Sequence, residues 1–116
     1  MTREIKFRAW HLGAKQMLTN RHQGYEGNVF SWKHEGQPII IMQYTGLKDK
    51  NANEIYDGDI LQLHGDPSLR FPVKWEDEAA GWAIECHKSE PEFLGDYQPE
   101  YLEIIGNIHE NSEIVA

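Results

Sequence analysis

The sequence predicts a mainly β fold with little helix, either a small barrel or two packed antiparallel sheets. Short segments with apolar residues at alternate positions recur along the chain, and clusters of Gly, Pro, Asn and Asp separate them. No long segment shows the 3.6-residue period of an amphipathic helix. The turn at residues 57–59, followed by a strand, a hairpin and a closing strand, also suits a five-stranded SH3-like barrel element.

The first third of the chain contains three predicted strands. Residues 5–10 alternate between apolar and polar side chains, and residues 16–19 are expected to pair back on them as a hairpin. A polar loop is expected at 20–27, followed by a short strand at 29–32. Residues 39–45 are rich in β-branched and aromatic side chains and predict a well-buried strand.

The remaining strands are predicted between turn signals. Residues 46–53 read as a loop, and 90–100, which contain two prolines, as irregular chain or one helical turn. A closing element or tail is expected after residue 110. Strands are predicted at 54–56, 60–64, 73–75, 82–86 and 101–108, the last of them bent at Gly106.

Length and composition predict one intracellular domain. The 116 residues suit a single domain over 1–116. The single cysteine, Cys86, excludes an internal disulfide and fits a reducing cytoplasm. The longest apolar run, at 39–42, is far shorter than the ~20 residues of a membrane span, and the N-terminus lacks the apolar run of a signal peptide. We therefore expect a cytoplasmic protein with no membrane association.

The charge balance is unfavourable for nucleic-acid binding. The net charge of −8 repels phosphate backbones at long range. Lys6 with Arg8, and Lys48 with Lys50, form two small basic groups that keep the possibility open. Nucleic acid is thus a disfavoured partner.

Three blocks of sequence carry a family resemblance. They are residues 5–10 (IKFRAW), residues 43–51 (QYTGLKDKN) with 54–60 (EIYDGDI), and residues 104–111 (IIGNIHEN). In order and spacing they resemble the YopX family of bacteriophage and prophage proteins. The resemblance runs over nearly the whole chain, and the long middle block is its most specific part.

The resemblance implies a β-rich, phage-associated protein that self-associates in the cytoplasm of a bacterium carrying a phage or prophage. The family brings no accepted catalytic residues to transfer. Three positions depart from its pattern: His11 replaces an acidic residue, Ala52 a glycine and His109 an aromatic residue. The turn at residues 51–52 is therefore expected to be built differently.

The loop from Thr45 to Asp59 is the first candidate site. Its Gly, Asn and Asp residues suit tight turns, which is the structural interpretation. Alternatively, loops on rigid β scaffolds commonly carry binding, and the basic and aromatic side chains here would be contact groups. Trp10 adds a further candidate, because alternation places it opposite Phe7 on an outer face where an aromatic residue indicates an interface. The candidate binding residues are Trp10, Tyr44, Lys48, Lys50, Tyr56 and Asp59.

Two patterns resemble catalytic sites, and neither supplies a catalytic residue. Asp57, Asp59, His64 and Asp66 offer oxygen and imidazole ligands, but their spacing matches no defined metal motif and Asx turns explain them more simply. Cys86 and the adjacent His87 would point to opposite faces of a strand, so they form no nucleophile–base pair. We predict no catalytic residue, metal or cofactor.

The tryptophans on the predicted hairpin are expected to pair. Trp75 and Trp82 flank the loop at 76–81, where cross-strand aromatic pairs stabilise a sheet. The acidic run Glu76 to Glu78 reads as a solvated hairpin tip.

These observations favour a non-enzymatic phage accessory protein, a self-associating β module that binds an unknown host or phage protein. One alternative is a nucleic-acid-binding small barrel in phage replication or transcription, with Lys48, Lys50, Tyr44 and Tyr56 as contacts. The other is a metal-dependent nuclease or hydrolase.

Overall fold

A computed structural model of the chain describes residues 5–19, 29–85 and 92–114. The mainly β prediction is confirmed, with two antiparallel sheets of four and five strands. The chain divides into two compact units, Met1–Tyr44 (unit 1) and Thr45–Ala116 (unit 2). The single domain over 1–116 stays a prediction. The loop predicted at 20–27 and the predictions on Cys86 lie outside the described residues.

Unit 1 is built on a β-hairpin and a third strand. Strand β1 pairs antiparallel with β2, as predicted, and on its other side with β3. A short α-helix, α1, precedes β3. The core of unit 1 is formed by Ala9, Leu18, Trp32 and Ile39. The bounds are β1 Phe7–His11, β2 Gln16–Leu18, α1 Val29–His34 and β3 Ile39–Lys48, of which the last continues into unit 2.

The strand predicted at 29–32 is wrong, because these residues begin α1. The helix ends at His34 and is terminated by Gly36, which has a φ of +88°. The Gly36 amide donates to the Lys33 carbonyl and the Gln37 amide to the Trp32 carbonyl, a Schellman arrangement that a residue with positive φ closes. A stretch of four residues is too short to distinguish the two-residue period of a strand from the 3.6-residue period of a helix. In the helical form, Trp32 is buried in the core of unit 1.

The expected exposure of Trp10 is also wrong, since its side chain is only 6% exposed. Its neighbour Ala9 is fully buried, and adjacent residues of a strand point to opposite faces. Both faces of β1 are therefore covered at this point. Alternation alone does not identify an outer face in a strand that is covered on both sides.

Unit 2 contains the larger sheet. Its strand order is β8-β7-β6-β5-β9, and every pairing is antiparallel. Strand β4 belongs to the four-stranded sheet, next to β3. The bounds are β4 Glu54–Tyr56, β5 Asp59–Leu63, β6 Arg70–Glu76, β7 Gly81–Ile84, β8 Glu92–Phe93 and β9 Leu102–Asn107, with 3-10 turns at Leu94–Asp96, Pro99–Tyr101 and Ser112–Ile114.

The core of unit 2 is mostly aliphatic, with Phe71 as its one aromatic member among the described buried residues. The bend predicted at Gly106 corresponds to a register shift: Ile60 faces Gly106 and Leu61 faces Ile104, which leaves Ile105 as an extra residue in β9. The core residues are Ile55, Leu61, Leu63, Phe71, Val73, Ile84, Leu94 and Leu102.

In the described part of the chain, no helix is long and apolar enough to cross a membrane.

Candidate protein-binding surface

The Asp49 carboxylate holds the central loop of unit 2 in place. Its side chain is 3% exposed. Oδ1 accepts hydrogen bonds from the amides of Asn51 and Asn53 at 2.9 and 3.0 Å, and Oδ2 accepts one from the amide of Ile104 at 3.0 Å. The Lys50 amide also donates to the carbonyl of Leu102. One side chain thus closes the loop and attaches it to β9.

Two further polar side chains of the same block bond to main chain. The Thr45 hydroxyl donates to the Ile55 carbonyl at 2.8 Å and accepts from the Leu47 amide at 3.1 Å. Asp59 Oδ2 accepts from the Tyr56 amide at 2.7 Å, and the Asp59 side chain is 1% exposed. These contacts support the structural interpretation of the block, because its polar groups satisfy buried main-chain atoms.

The third resemblance block is held by the same kind of contact. Asn107 Oδ1 accepts from the amides of His109 and Glu110, both at 3.0 Å. The amide of Ile108 donates to the carbonyl of Gly58, so this segment is bonded to the turn at 57–58. Gly58 has a φ of +85°, which a residue without a Cβ adopts readily.

The six candidate binding residues differ widely in exposure. Tyr44 and Asp59 are buried, as Trp10 is, and leave little surface for a partner. Lys48 is exposed, and Tyr56 is half-buried with its hydroxyl donating to Glu54 at 3.3 Å. The ammonium of Lys50 lies 3.5 Å from a carboxylate oxygen of Glu103, which partly offsets its charge. Lys48, Lys50 and Tyr56 are accessible to a partner, and the binding role of the six residues stays a prediction.

Asp66, one of the four candidate metal ligands, forms a turn. Asp66 Oδ1 accepts from the Ser68 amide at 2.9 Å and from its hydroxyl at 2.8 Å, as expected for an Asx turn. These bonds, with a smaller contribution from the charge of His64, lower the pKa of Asp66 below its ordinary value of 3.8. Within residues 5–19, 29–85 and 92–114, no three His, Cys, Asp or Glu residues are grouped to hold a metal.

The predicted tryptophan pair is confirmed and provides an exposed aromatic surface. Trp75 and Trp82 face each other across β6 and β7, with ring centroids 5.2 Å apart and planes at 74°. Because side chains alternate along a strand, both tryptophans lie on the face of the hairpin from which Phe71 and Val73 point into the core. Trp82 packs on that core, but Trp75 is 43% exposed. The apolar face of the β6–β7 hairpin therefore ends at the partly exposed indole of Trp75.

The tryptophan pair lies next to an acidic hairpin tip, and one of its two indole N–H groups is buried. The Nε1 atom of Trp82 is buried without a hydrogen-bond acceptor among the described residues. Its T-shaped contact places a ring edge against a ring face, the geometry in which N–H groups contact π systems. The next residue pair toward the tip is Glu76 with Gly81, and exposed Asp77 and Glu78 follow.

The sequence contained the signal for this surface. Phe71, Val73 and Trp75 share one face of β6, and Trp75 is the last apolar residue before the acidic tip. A large aromatic residue beyond the aliphatic core positions is expected to be only partly covered. Alternation predicted the exposed aromatic residue at Trp10 instead, and Trp10 is buried.

A second exposed aromatic group lies elsewhere in unit 2. Tyr101 is 44% exposed, and its ring centroid lies 5.0 Å from that of His64. Tyr97 approaches His64 at 6.1 Å and donates its hydroxyl to Glu92 at 2.7 Å. These side chains contact one another and make Tyr101 a useful comparison for Trp75.

The chain has relatives over its full length. A family model described as YopX protein matches residues 6–116. A solved structure described as the crystal structure of protein EF1440 from Enterococcus faecalis is 28% identical, with a TM-score of 0.68, and the match covers 99% of this chain and 100% of that chain. Among curated proteins, none matches.

Proposed function

Because the chain belongs to the YopX family, we propose that it is a phage or prophage accessory protein that acts by binding another protein and not as an enzyme. The resemblance described above implies the phage setting and the cytoplasm of the bacterial host. The polar residues of the family blocks hold main chain together, which supports a structural role for them. The binding residue is then expected outside those blocks.

The observation that carries the proposal is the exposure of Trp75 beside a half-buried second indole. Tryptophan is enriched among the residues that dominate protein interfaces, because it buries a large area at low conformational cost. Trp82 provides a rigid aromatic support beneath it, and the core of unit 2 supports Trp82. A pre-organised aromatic residue of this kind reduces the entropy lost on binding.

Affinity capture from bacteria carrying the phage or prophage tests the proposal. The full chain, its Trp75→Ala variant and its Tyr101→Ala variant are used as bait, since Trp75 and Tyr101 are exposed to the same degree. We expect a protein that the parent chain and Tyr101→Ala retain in equal amount and that Trp75→Ala loses. Equal recovery of every protein by all three baits would contradict the proposed function.

Self-association is a separate part of the proposal and comes from the family resemblance. Light scattering over a concentration series is expected to show a mass above 13.5 kDa that rises with concentration. A constant mass of one chain at every concentration would refute it. The nucleic-acid alternative gains no support from the structure, because Lys50 is paired with Glu103.

A further inference from the structure

We infer that the segment bound at Trp75 is basic and inserts an arginine side chain between the exposed indole and the acidic hairpin tip. This inference rests on the proposed function and adds the chemistry of its partner. Glu76, Asp77 and Glu78 follow Trp75 directly in the chain. Asp77 and Glu78 are exposed in the turn that follows the strand end carrying Trp75, so a partner that covers the indole also approaches this acidic tip.

The tip is held close to the indoles by the hairpin register. Trp75 faces Trp82, and the adjacent pair is Glu76 with Gly81, one residue further at a rise of about 3.3 Å. The tip then closes with the Ala80 amide donating to the Asp77 carbonyl at 3.3 Å. Because adjacent strand residues point to opposite faces, Glu76 lies across the sheet from Trp75, and the carboxylates that come next beyond the indole along the hairpin are those of the exposed turn residues Asp77 and Glu78.

The tip carboxylates have no described basic partner. In the hairpin, the ammonium of Lys74 lies 3.8 Å from Glu85. The guanidinium of Arg70 donates to the Gln62 side chain at 2.9 Å. Among the described residues, no Lys, Arg or His forms an ion pair with Glu76, Asp77 or Glu78. The negative charge beside Trp75 is therefore available to a partner.

Arginine fits these two features best. Its planar guanidinium stacks on the face of an indole and donates paired hydrogen bonds to a carboxylate, while the ammonium of lysine acts as a compact point charge. A neutral apolar segment would cover the indole but leave nearby carboxylates partly desolvated and unpaired. An acidic segment would be repelled.

The charge of the chain argues against a second copy as the occupant. With a net charge of −8, two copies repel each other, and an isologous contact would bring two acidic tips together. Self-association is accordingly expected through another surface. The occupant of the Trp75 surface is a basic segment of a different protein.

Peptide titration of the full-length protein tests the inference. The probe is a short peptide with two arginines flanking a leucine, and the matched peptides carry lysine or the neutral isostere citrulline in place of arginine. Binding is measured by calorimetry and by the indole fluorescence. We expect the arginine peptide to bind at least about tenfold more tightly than the citrulline peptide, with the lysine peptide between them. Affinity should fall as the salt rises from about 0.15 M to about 1 M, where screening shortens from ~8 to ~3 Å.

Variants of the protein locate the effect. Trp75→Ala should weaken the arginine peptide by about tenfold or more, and Trp75→Phe by less, because the phenyl ring retains a smaller aromatic face. Combined Glu76→Gln, Asp77→Asn and Glu78→Gln substitutions, which are not in the core, should remove the preference for arginine over citrulline. Tyr101→Ala is the control and should leave the affinity unchanged.

The two failures are distinguishable. Equal binding of arginine and citrulline peptides, or binding that Trp75→Ala and the charge variant leave unchanged, would overturn the basic-segment inference. A captured protein that still depends on Trp75 would then preserve the proposed function. Arginine-specific binding that is lost in the charge variant and in Trp75→Ala supports both.

Discussion

Replacing Asp49 with alanine removes the acceptor of three main-chain amides at once. The amides of Asn51 and Asn53 belong to exposed residues and can bond to water after the change, so each loss is expected to cost only about 0.5 kcal/mol. The Ile104 amide lies in half-buried β9 and donates to a charged oxygen, which is worth about 1.5–3 kcal/mol. Together these losses lower the free energy of unfolding by about 3 kcal/mol.

Urea denaturation and amide exchange measure this effect. With a slope of about 2 kcal/mol per molar urea, Asp49→Ala should lower the unfolding midpoint by about 1.5 M without a change of slope. The Ile104 amide should also lose protection from hydrogen exchange. Asp49→Asn should lie between the two proteins, because its amide oxygen replaces one of the two acceptor oxygens.

Asp96→Ala is the matched control. It removes the same charge from an exposed 3-10 turn of unit 2 and should change the free energy of unfolding by less than about 0.5 kcal/mol. If Asp49→Ala unfolds at the same urea concentration as this control, with Ile104 protection unchanged, the carboxylate does not hold the loop on β9. The family block would then be free to serve as a contact surface.

Three further predictions concern other parts of unit 2. Gly106→Ala should lower the free energy of unfolding in urea by about 1–3 kcal/mol, because the added Cβ would lie 2.5 Å from Oδ1 of Asn111. A second substitution in the same chain, Asn111→Ala, should restore part of the lost stability. Ser68→Ala should raise the pKa of Asp66 part of the way to 3.8 in an NMR titration, since the hydroxyl bond is lost and the backbone bond stays. Because the folded pKa of Asp66 is lowered, its stabilisation is present at neutral pH and is lost as the pH falls through that folded pKa. Trp75→Ala should cost about 1.5–3 kcal/mol by thermal melting, because the aromatic pair contributes about 0.5–1.5 kcal/mol beyond the apolar area that the partly covered indole buries, and loss of folding would refute its peripheral placement.

The sequence predicted the features that depend on neighbouring residues. Period-two alternation and turn residues located the hairpin of β1 with β2, strand β4 and the hairpin of β6 with β7. Because cross-strand partners in a hairpin follow from the turn, the pairing of Trp75 with Trp82 was predictable as well. The end of β5 was less predictable. The strand ends at Leu63, one residue before the predicted end, because His64 has a φ of +52°.

Features that depend on distant parts of the chain were not predictable. The burial of Trp10 requires cover on both faces of β1, and no local pattern reports that. The partner of Asp49 is Ile104, 55 residues away, so the motif indicated a turn without showing what the carboxylate holds. Helix α1 had a local signal in Gly36, since a glycine just beyond the last helical residue commonly terminates a helix, but the strand interpretation assigned it to a turn.

The contacts separate what identifies the family from what is expected to bind. Asp49, Asp59 and Asn107 lie in the resemblance blocks, are buried, and direct their oxygens at main-chain amides of unit 2. Trp75 lies outside every block and directs an indole at water. A buried acceptor that already holds its donors has no capacity left for a partner, whereas the exposed indole loses water-accessible area only when a partner covers it. On the proposed function, the fold and the binding surface are therefore encoded by different residues. Substitutions at Trp75 and at residues 76–78 are expected to change the partner, whereas the core residues of the same hairpin, such as Val73 and Ile84, maintain the fold.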